Sequence, residues 1–244
     1  MTETVRIQKL LAGWGVASRR AIEKMIEEGR IEVNGETLTE QGHFVDPDNP
    51  PVITVNGRQI HKPTQHAHSI YIFYKPVDVV TTLHDERGRK TIRDFLPADR
   101  RLYPIGRLDR DSTGLLLITD HGELTNRLLH PSYKVEKEYI VSLCDSALTA
   151  AECSQFRAGV ELDDGRTAPC ELRQLKEPST YSVIIREGKK RQIRRMFASF
   201  GRQVKSLHRI RFGPLHLGDL RPGEIRLLSD KEKSALLKAA GLND

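Results

Sequence analysis

The sequence predicts an α+β protein in two parts. A small αα-then-β module occupies residues 1–60, a linker 61–69, and a larger domain 70–244 built on a mostly antiparallel mixed sheet flanked by helices. Three observations carry this reading. Apolar residues recur at helical spacing behind good N-caps; two Asn-Gly pairs follow short alternating runs; and strands and helices beyond residue 70 lack regular βαβ alternation.

The elements follow in order. A short helix is expected from Ile7 to Ala12, ending near Gly13. Ser18 can N-cap the next helix, on which Ile22, Met25 and Ile26 share a face, and Gly29 supplies the stop. Ile31-Glu32-Val33 then runs into Asn34-Gly35, and Val52 to Val55 into Asn56-Gly57, the residues that a two-residue hairpin turn favours. His61 to Ser69 is polar, contains Pro63 and reads as a linker; its histidines, His61, His66 and His68, read as solvated side chains rather than metal ligands.

In the second part, Tyr71 to Tyr74 is a strand stopped by Pro76, and Gly114 to Thr119 is a buried strand. Asp120, with Glu123 three residues on, can cap a helix bearing Leu124 and Leu128. Tyr139-Ile140-Val141 begins another strand, Asp163-Asp164-Gly165 reads as a hairpin turn, Tyr181 to Arg186 alternates, and Leu236 and Leu237 belong to a terminal helix.

Composition narrows the function. No apolar run reaches the roughly 18 residues of a membrane span, and the N-terminus has no secretory h-region. Cys144, Cys153 and Cys170 form no Cys-x-x-Cys pair and read as reduced thiols of a cytoplasmic protein, neither a disulfide frame nor a zinc site. The net charge of +6 is unevenly spread: residues 186–211 hold ten Lys/Arg against Glu187, whereas residues 1–60 are net −2. Such a concentration points to a polyanion, and hence to nucleic acid. In the first module Arg6, Lys9, Arg19, Arg20, Lys24 and Arg30 lie on or beside the helices and the acids lie in the β part, so one face can still be positive.

Asp109 stands at the mouth of the apolar run Leu115 to Ile118, among Arg107, Arg110 and Asp111. A carboxylate there is either a turn cap or a reagent. A second segment, Glu187 to Gly201, carries an apolar stripe of Ile193, Met196, Phe197 and Phe200. The wheel turns Arg191 and Arg195 away from that stripe and leaves Arg194 on its flank, about 100° from Ile193. There its guanidinium either reaches a sequestered carboxylate, with Asp109 the candidate, or snorkels to water. Strand alternation puts Lys137, Tyr139 and Val141 on one face, where Tyr139 alone reads as a core aromatic.

Residues "RIQKLLAGWGVASRRAIEKMIEEGRIEVNG" resemble the S4 RNA-binding domain. Tyr74-Lys75-Pro76, "GRLDRDSTGLLLITDHGEL", "HPSYKVEKEY" and "EGKKRQIRRMF" resemble, in order, the motifs of the RsuA/RluB-type pseudouridine synthases, and most of all their large-subunit rRNA group. The resemblance implies isomerisation of a specific uridine in rRNA, with ribosomal subunit precursor as partner, without cofactor or metal, by a monomer. It implies Asp109 as nucleophile, Arg194 paired with it, Tyr139 packed on the uracil, and Arg107 holding the nucleotide out of its stack. The RNA would meet Arg6, Lys9, Arg19, Arg20, Lys24 and Arg30, together with Lys189, Lys190, Arg191 and Arg195. One departure is Lys189-Lys190, where relatives often have Arg-Asn; the charge is kept. Asp109 has three reasonable first steps: attack at C1′, attack at C6, or removal of the 2′ proton. Competing readings are an S4-type RNA-binding protein without catalysis, a synthase for small-subunit rRNA or tRNA, and a glycoside hydrolase using Asp109 and Asp111. The scarcity of aromatics, with Trp14 the one tryptophan, disfavours the last.

Overall fold

The computed structural model describes residues 4–63, 68–98, 100–144 and 146–242. The chain divides into two compact units, Met1–His68 and Ser69–Asp244. Residues 64–67 of the expected linker, His66 among them, lie outside the described residues.

The first unit runs β1 (Val5–Arg6), α1 (Ile7–Gly13), α2 (Arg19–Glu27), β2 (Ile31–Val33), β3 (Glu36–Thr37), β4 (Phe44–Val45), β5 (Ile53–Val55) and β6 (Arg58–Ile60). Ser18 caps α2, its side chain accepting from the backbone N–H of Ala21 at 3.1 Å. Both Asn-Gly pairs turn hairpins, β2–β3 and β5–β6, with positive φ at Asn34, Gly35, Asn56 and Gly57. Ile22 and Ile26 of α2 pack with Ile7, Leu11, Ile31 and Ile53 into this unit's own core, while Met25 is half-buried at its edge.

The second unit contains β7 (Ile70–Lys75), β8 (Tyr103–Ile105), β9 (Thr113–Thr119), α3 (Gly122–Leu129), β10 (Lys137–Leu143), α4 (Ala150–Ala158), β11 (Glu171–Gln174), β12 (Thr180–Ile185), α5 (Gln192–Ala198), β13 (Val204–Phe212), β14 (Leu215–His216), β15 (Ile225–Leu227) and α6 (Asp230–Ala239). Its sheet has the order β11-β12-β10-β13-β9-β7-β15, with β14 added to β13 and β8 to β9. Every pairing between these strands is antiparallel except β13 with β9, where His208 opposes Thr113 and Arg209 opposes Gly114. The fold is therefore mixed α+β.

Strand β9 shows why its sequence is a continuous apolar run. Leu116 and Ile118 enter one core with Phe73, Val141 and Met196; Leu115 and Leu117 enter the other with Ile72, Leu128 and Leu236. A strand covered on both faces loses the polar alternation. All four side chains are fully buried, each contributing roughly 1.5–3 kcal/mol. Two local expectations change. The cap of α3 is His121, whose ring nitrogen accepts from the Leu124 N–H at 3.4 Å, because the Asp120 carboxylate instead accepts from the Ser69 N–H beside β7. Residues 163–165 form a turn without flanking strands.

Candidate active site

Asp109 lies in the turn between β8 and β9. The turn closes on a bond from the Ser112 N–H to the Asp109 carbonyl at 3.0 Å. Two buried side chains anchor it from behind. Thr81 donates its hydroxyl to the Leu108 carbonyl at 2.7 Å and accepts from the Leu108 N–H at 3.3 Å. Lys75 is fully buried at the end of β7, its Nζ donating to the carbonyls of Ser112 and Pro76, both at 2.8 Å, and of Arg110 at 3.4 Å. Burial draws Lys75 down to about 8, and the carboxylates of Asp111, Asp109 and Asp78 oppose that shift. The sequence shows Lys75 only as part of Tyr-Lys-Pro, and Thr81 not at all.

The turn presents Asp109 to a cavity of about 580 Å³, within the range of roughly 300–1,000 Å³ for small-ligand sites. Arg107 and Tyr139 line the same cavity. Arg107 is exposed, whereas Tyr139 is 7% exposed on the inward face of β10. The aspartate, the tyrosine and one arginine thus meet at one opening.

Arg194 is placed differently from expectation. Its Nη2 lies 3.3 Å from an Asp111 carboxylate oxygen and donates to the Asp111 carbonyl at 3.0 Å, and its Nη1 donates to the Val204 carbonyl at 3.0 Å. Asp109 is met by Arg191, at 3.7 Å, and Arg191 also forks onto the two oxygens of Asp111 at 3.0 and 3.2 Å. The cause is backbone conformation. Helix α5 begins at Gln192, and Arg191 sits before it with a left-handed φ of 48°, so the wheel does not apply to it. Burial would raise the Asp111 carboxyl, but its bond to Arg191 and the charges of Arg194 and Arg191 outweigh that and hold it below its ordinary value.

Arg191 and Arg195, expected to face solvent or phosphate, are both engaged with acids. Arg191 is engaged as described, and Arg195 forks onto Asp164 at 2.9 Å and reaches Asp163 at 2.8 Å, because the acidic turn packs against α5. Lys189 donates to the carbonyls of Asp164 and Gly165. Lys190 stays exposed at the cavity rim. In the first unit, Lys9, Arg19 and Arg20 are exposed and form no ion pair among the described residues, and Arg6 lies 5.9 Å from the Phe44 ring centroid. Lys24 and Arg30 both pair with Glu28.

The cavity also holds two side chains that sequence reasoning passed over as chemistry, Lys137 and Arg209. Arg209 counts in the sequence as one charge of the basic segment, yet it is 2% exposed. Alternation along β13, which puts Arg209 on the face of Leu207, was the available signal.

Lys75 offers a direct check on the turn. Lys75→Met keeps the stem and removes three hydrogen bonds, and should lower kcat by about 10²-fold through misplacement of Asp109, with little change in KM. Single-turnover rates on RNA measure it; a wild-type rate would show that the turn holds without Nζ.

Comparisons with known proteins agree with this geometry. Residues 69–199 match the RNA pseudouridylate synthase family, and residues 5–49 match the S4 domain. The chain is 37% identical to ribosomal large subunit pseudouridine synthase B of Bacillus subtilis, covering 95% of each protein. It is 36% identical to the dual-specificity RNA pseudouridine synthase RluF of Escherichia coli, covering 96% of this chain and 79% of that one. A solved structure described as a pseudouridylate synthase superposes with a TM-score of 0.69 at 27% identity, covering 95% of this chain and 99% of that one. The chain belongs to the RNA pseudouridylate synthase family. With its S4 domain in front, it is an RNA pseudouridine synthase of the RsuA/RluB/RluF type. An S4 protein without catalysis and a glycoside hydrolase are thereby set aside.

Proposed function

We propose that this enzyme converts a specific uridine of large-subunit rRNA to pseudouridine, with Asp109 as nucleophile. The observation that carries the role of Asp109 is its placement: a half-exposed carboxylate on a doubly anchored turn, facing a nucleotide-sized cavity with Tyr139 on its inner wall. The choice of RNA rests on the Bacillus subtilis relative, named as a large-subunit enzyme.

The target uridine leaves its stack to enter the cavity, as bases do in other enzymes that act on them. Arg107, at the rim, holds the nucleotide outside the stack, and Tyr139 packs on the uracil. The ionised carboxylate attacks the sugar carbon C1′, in keeping with covalent catalysis by an aspartate. Arg191 is the cation beside Asp109, and Arg194 fixes the turn through Asp111. The exposed Arg6, Lys9, Arg19 and Arg20 contact RNA from the S4 unit, and Lys190 contacts a phosphate near the target. RNA binding should therefore weaken with salt.

Pseudouridine mapping of rRNA and tRNA from cells with and without the protein tests the assignment. The expected result is loss of a large-subunit site, restored by the wild-type chain. Loss confined to small-subunit rRNA or tRNA would overturn the choice of substrate.

A further inference from the structure

Most arginines in the synthase unit that are withdrawn from solvent have acids. Arg211 meets Glu136 and Glu138, Arg195 meets Asp163 and Asp164, and Arg226 meets Glu232. Two cations in the wall of the Asp109 cavity break that pattern. Arg209 donates Nε to the Leu115 carbonyl at 2.6 Å and Nη1 to the Tyr139 hydroxyl oxygen at 3.4 Å, while its Nη2 is buried without a hydrogen-bond partner among the described residues. Lys137, 9% exposed, has the Val135 carbonyl at 3.4 Å and the Phe212 ring centroid at 5.6 Å. Neither forms an ion pair among the described residues. Burial draws Lys137 down to about 8, the charge of Arg209 adds to that shift, and Glu187 opposes it.

Unpaired buried charge is costly, and a fold tolerates it where something arrives to use it. Asp109 and the RNA phosphates are charged throughout, but the base that enters the cavity is neutral in the ground state and brings no negative charge to this wall. The reaction does. We propose that Arg209 and Lys137 hold the uracil as an anion while it is detached from the sugar. This rests on the reading of Asp109 as nucleophile. As a carboxylate oxygen of Asp109 bonds C1′, the N1–C1′ electron pair leaves with the base. The resulting uracilate spreads its charge over N1, C5, O2 and O4. Once the base has turned, C5 bonds C1′, and the C1′–O bond breaks with its electrons returning to Asp109. C5 then loses its proton and N1 gains one. Both cations are donors only, which suits O2 and O4 and disfavours the amino group of cytosine. Placed before the charge develops, they need no rearrangement when it does.

The test uses a stem-loop carrying the mapped uridine, or 5-fluorouridine at that position, with the full-length enzyme in excess. Fluorine makes the departing base a weaker proton acceptor and so a better leaving group. Lys137→Met, which keeps the packing on Phe212, should slow single-turnover conversion of uridine by about 10²-fold. Its defect on N-glycoside cleavage of the fluorinated RNA should be about fivefold or more smaller. Arg209→Gln should behave alike and Arg209→Lys recover part of the rate; if Arg209→Gln does not fold, Lys137→Met decides. Chromatography of the digested nucleosides gives both rates. Equal slowing on the two RNAs, or none, overturns the proposal. A wild-type enzyme inactive on the stem-loop, or an active Asp109→Asn, would instead overturn the reading on which it rests.

Discussion

Asp109→Asn should abolish pseudouridine formation, by roughly 10⁴-fold or more, in a protein that still folds and still binds RNA. The amide matches the carboxylate in shape, and the hydrogen bond that closes the turn uses the Asp109 backbone carbonyl rather than its side chain. The turn is held by Lys75 and Thr81 through backbone groups as well. What disappears is the proposed nucleophile and one counter-charge of Arg191, which keeps Asp111. Thermal unfolding within a degree or two of wild type, unchanged RNA binding and absent product is the expected combination. Wild-type product yield would remove Asp109 from the chemistry.

Gly114→Ala should be the most damaging single-atom addition in the synthase unit. Gly114 has φ +105°, outside the regions open to L-residues, and an added Cβ would stand 2.2 Å from the Arg209 carbonyl oxygen and 2.7 Å from its nitrogen. Both atoms are backbone, so no side chain can swing aside. Position 114 opposes Arg209 in the parallel pairing and Lys75 across β7. Strain and displacement together should cost about 4 kcal/mol or more. A comparison of urea midpoints measures it. A shift corresponding to less than 1 kcal/mol would mean that β9 and β13 separate freely, contrary to their packing.

The parts of the fold legible in the sequence are those fixed by neighbours in the chain. Ser18 three residues before Ala21, and Asn-Gly between alternating residues, satisfy their own bonds locally. The run Leu115 to Ile118 announces burial, yet its parallel partner lies some ninety residues away and leaves no local mark. The same distinction runs through the site. Asp109 stands out because it belongs to a charged cluster set directly before an apolar run. Lys75 and Thr81 do not, because they act on backbone carbonyls and amides that any sequence would offer. Arg191 is exposed as the wheel implies, but its left-handed backbone sets it ahead of the helix and onto Asp111, and Arg209 sits among other basic residues that conceal its depth.

The parallel pairing also sets a schedule for the growing polypeptide. Asp109 and the apolar strand after it emerge from the ribosome well before Val204–Phe212, the strand that supplies Arg209 and closes the far wall of the cavity. Until then the carboxylate lacks the wall of the pocket that Leu207, Arg209 and Phe212 form. A nascent or truncated chain ending before residue 212 should therefore carry the aspartate without the wall that Arg209 supplies, and should form no pseudouridine.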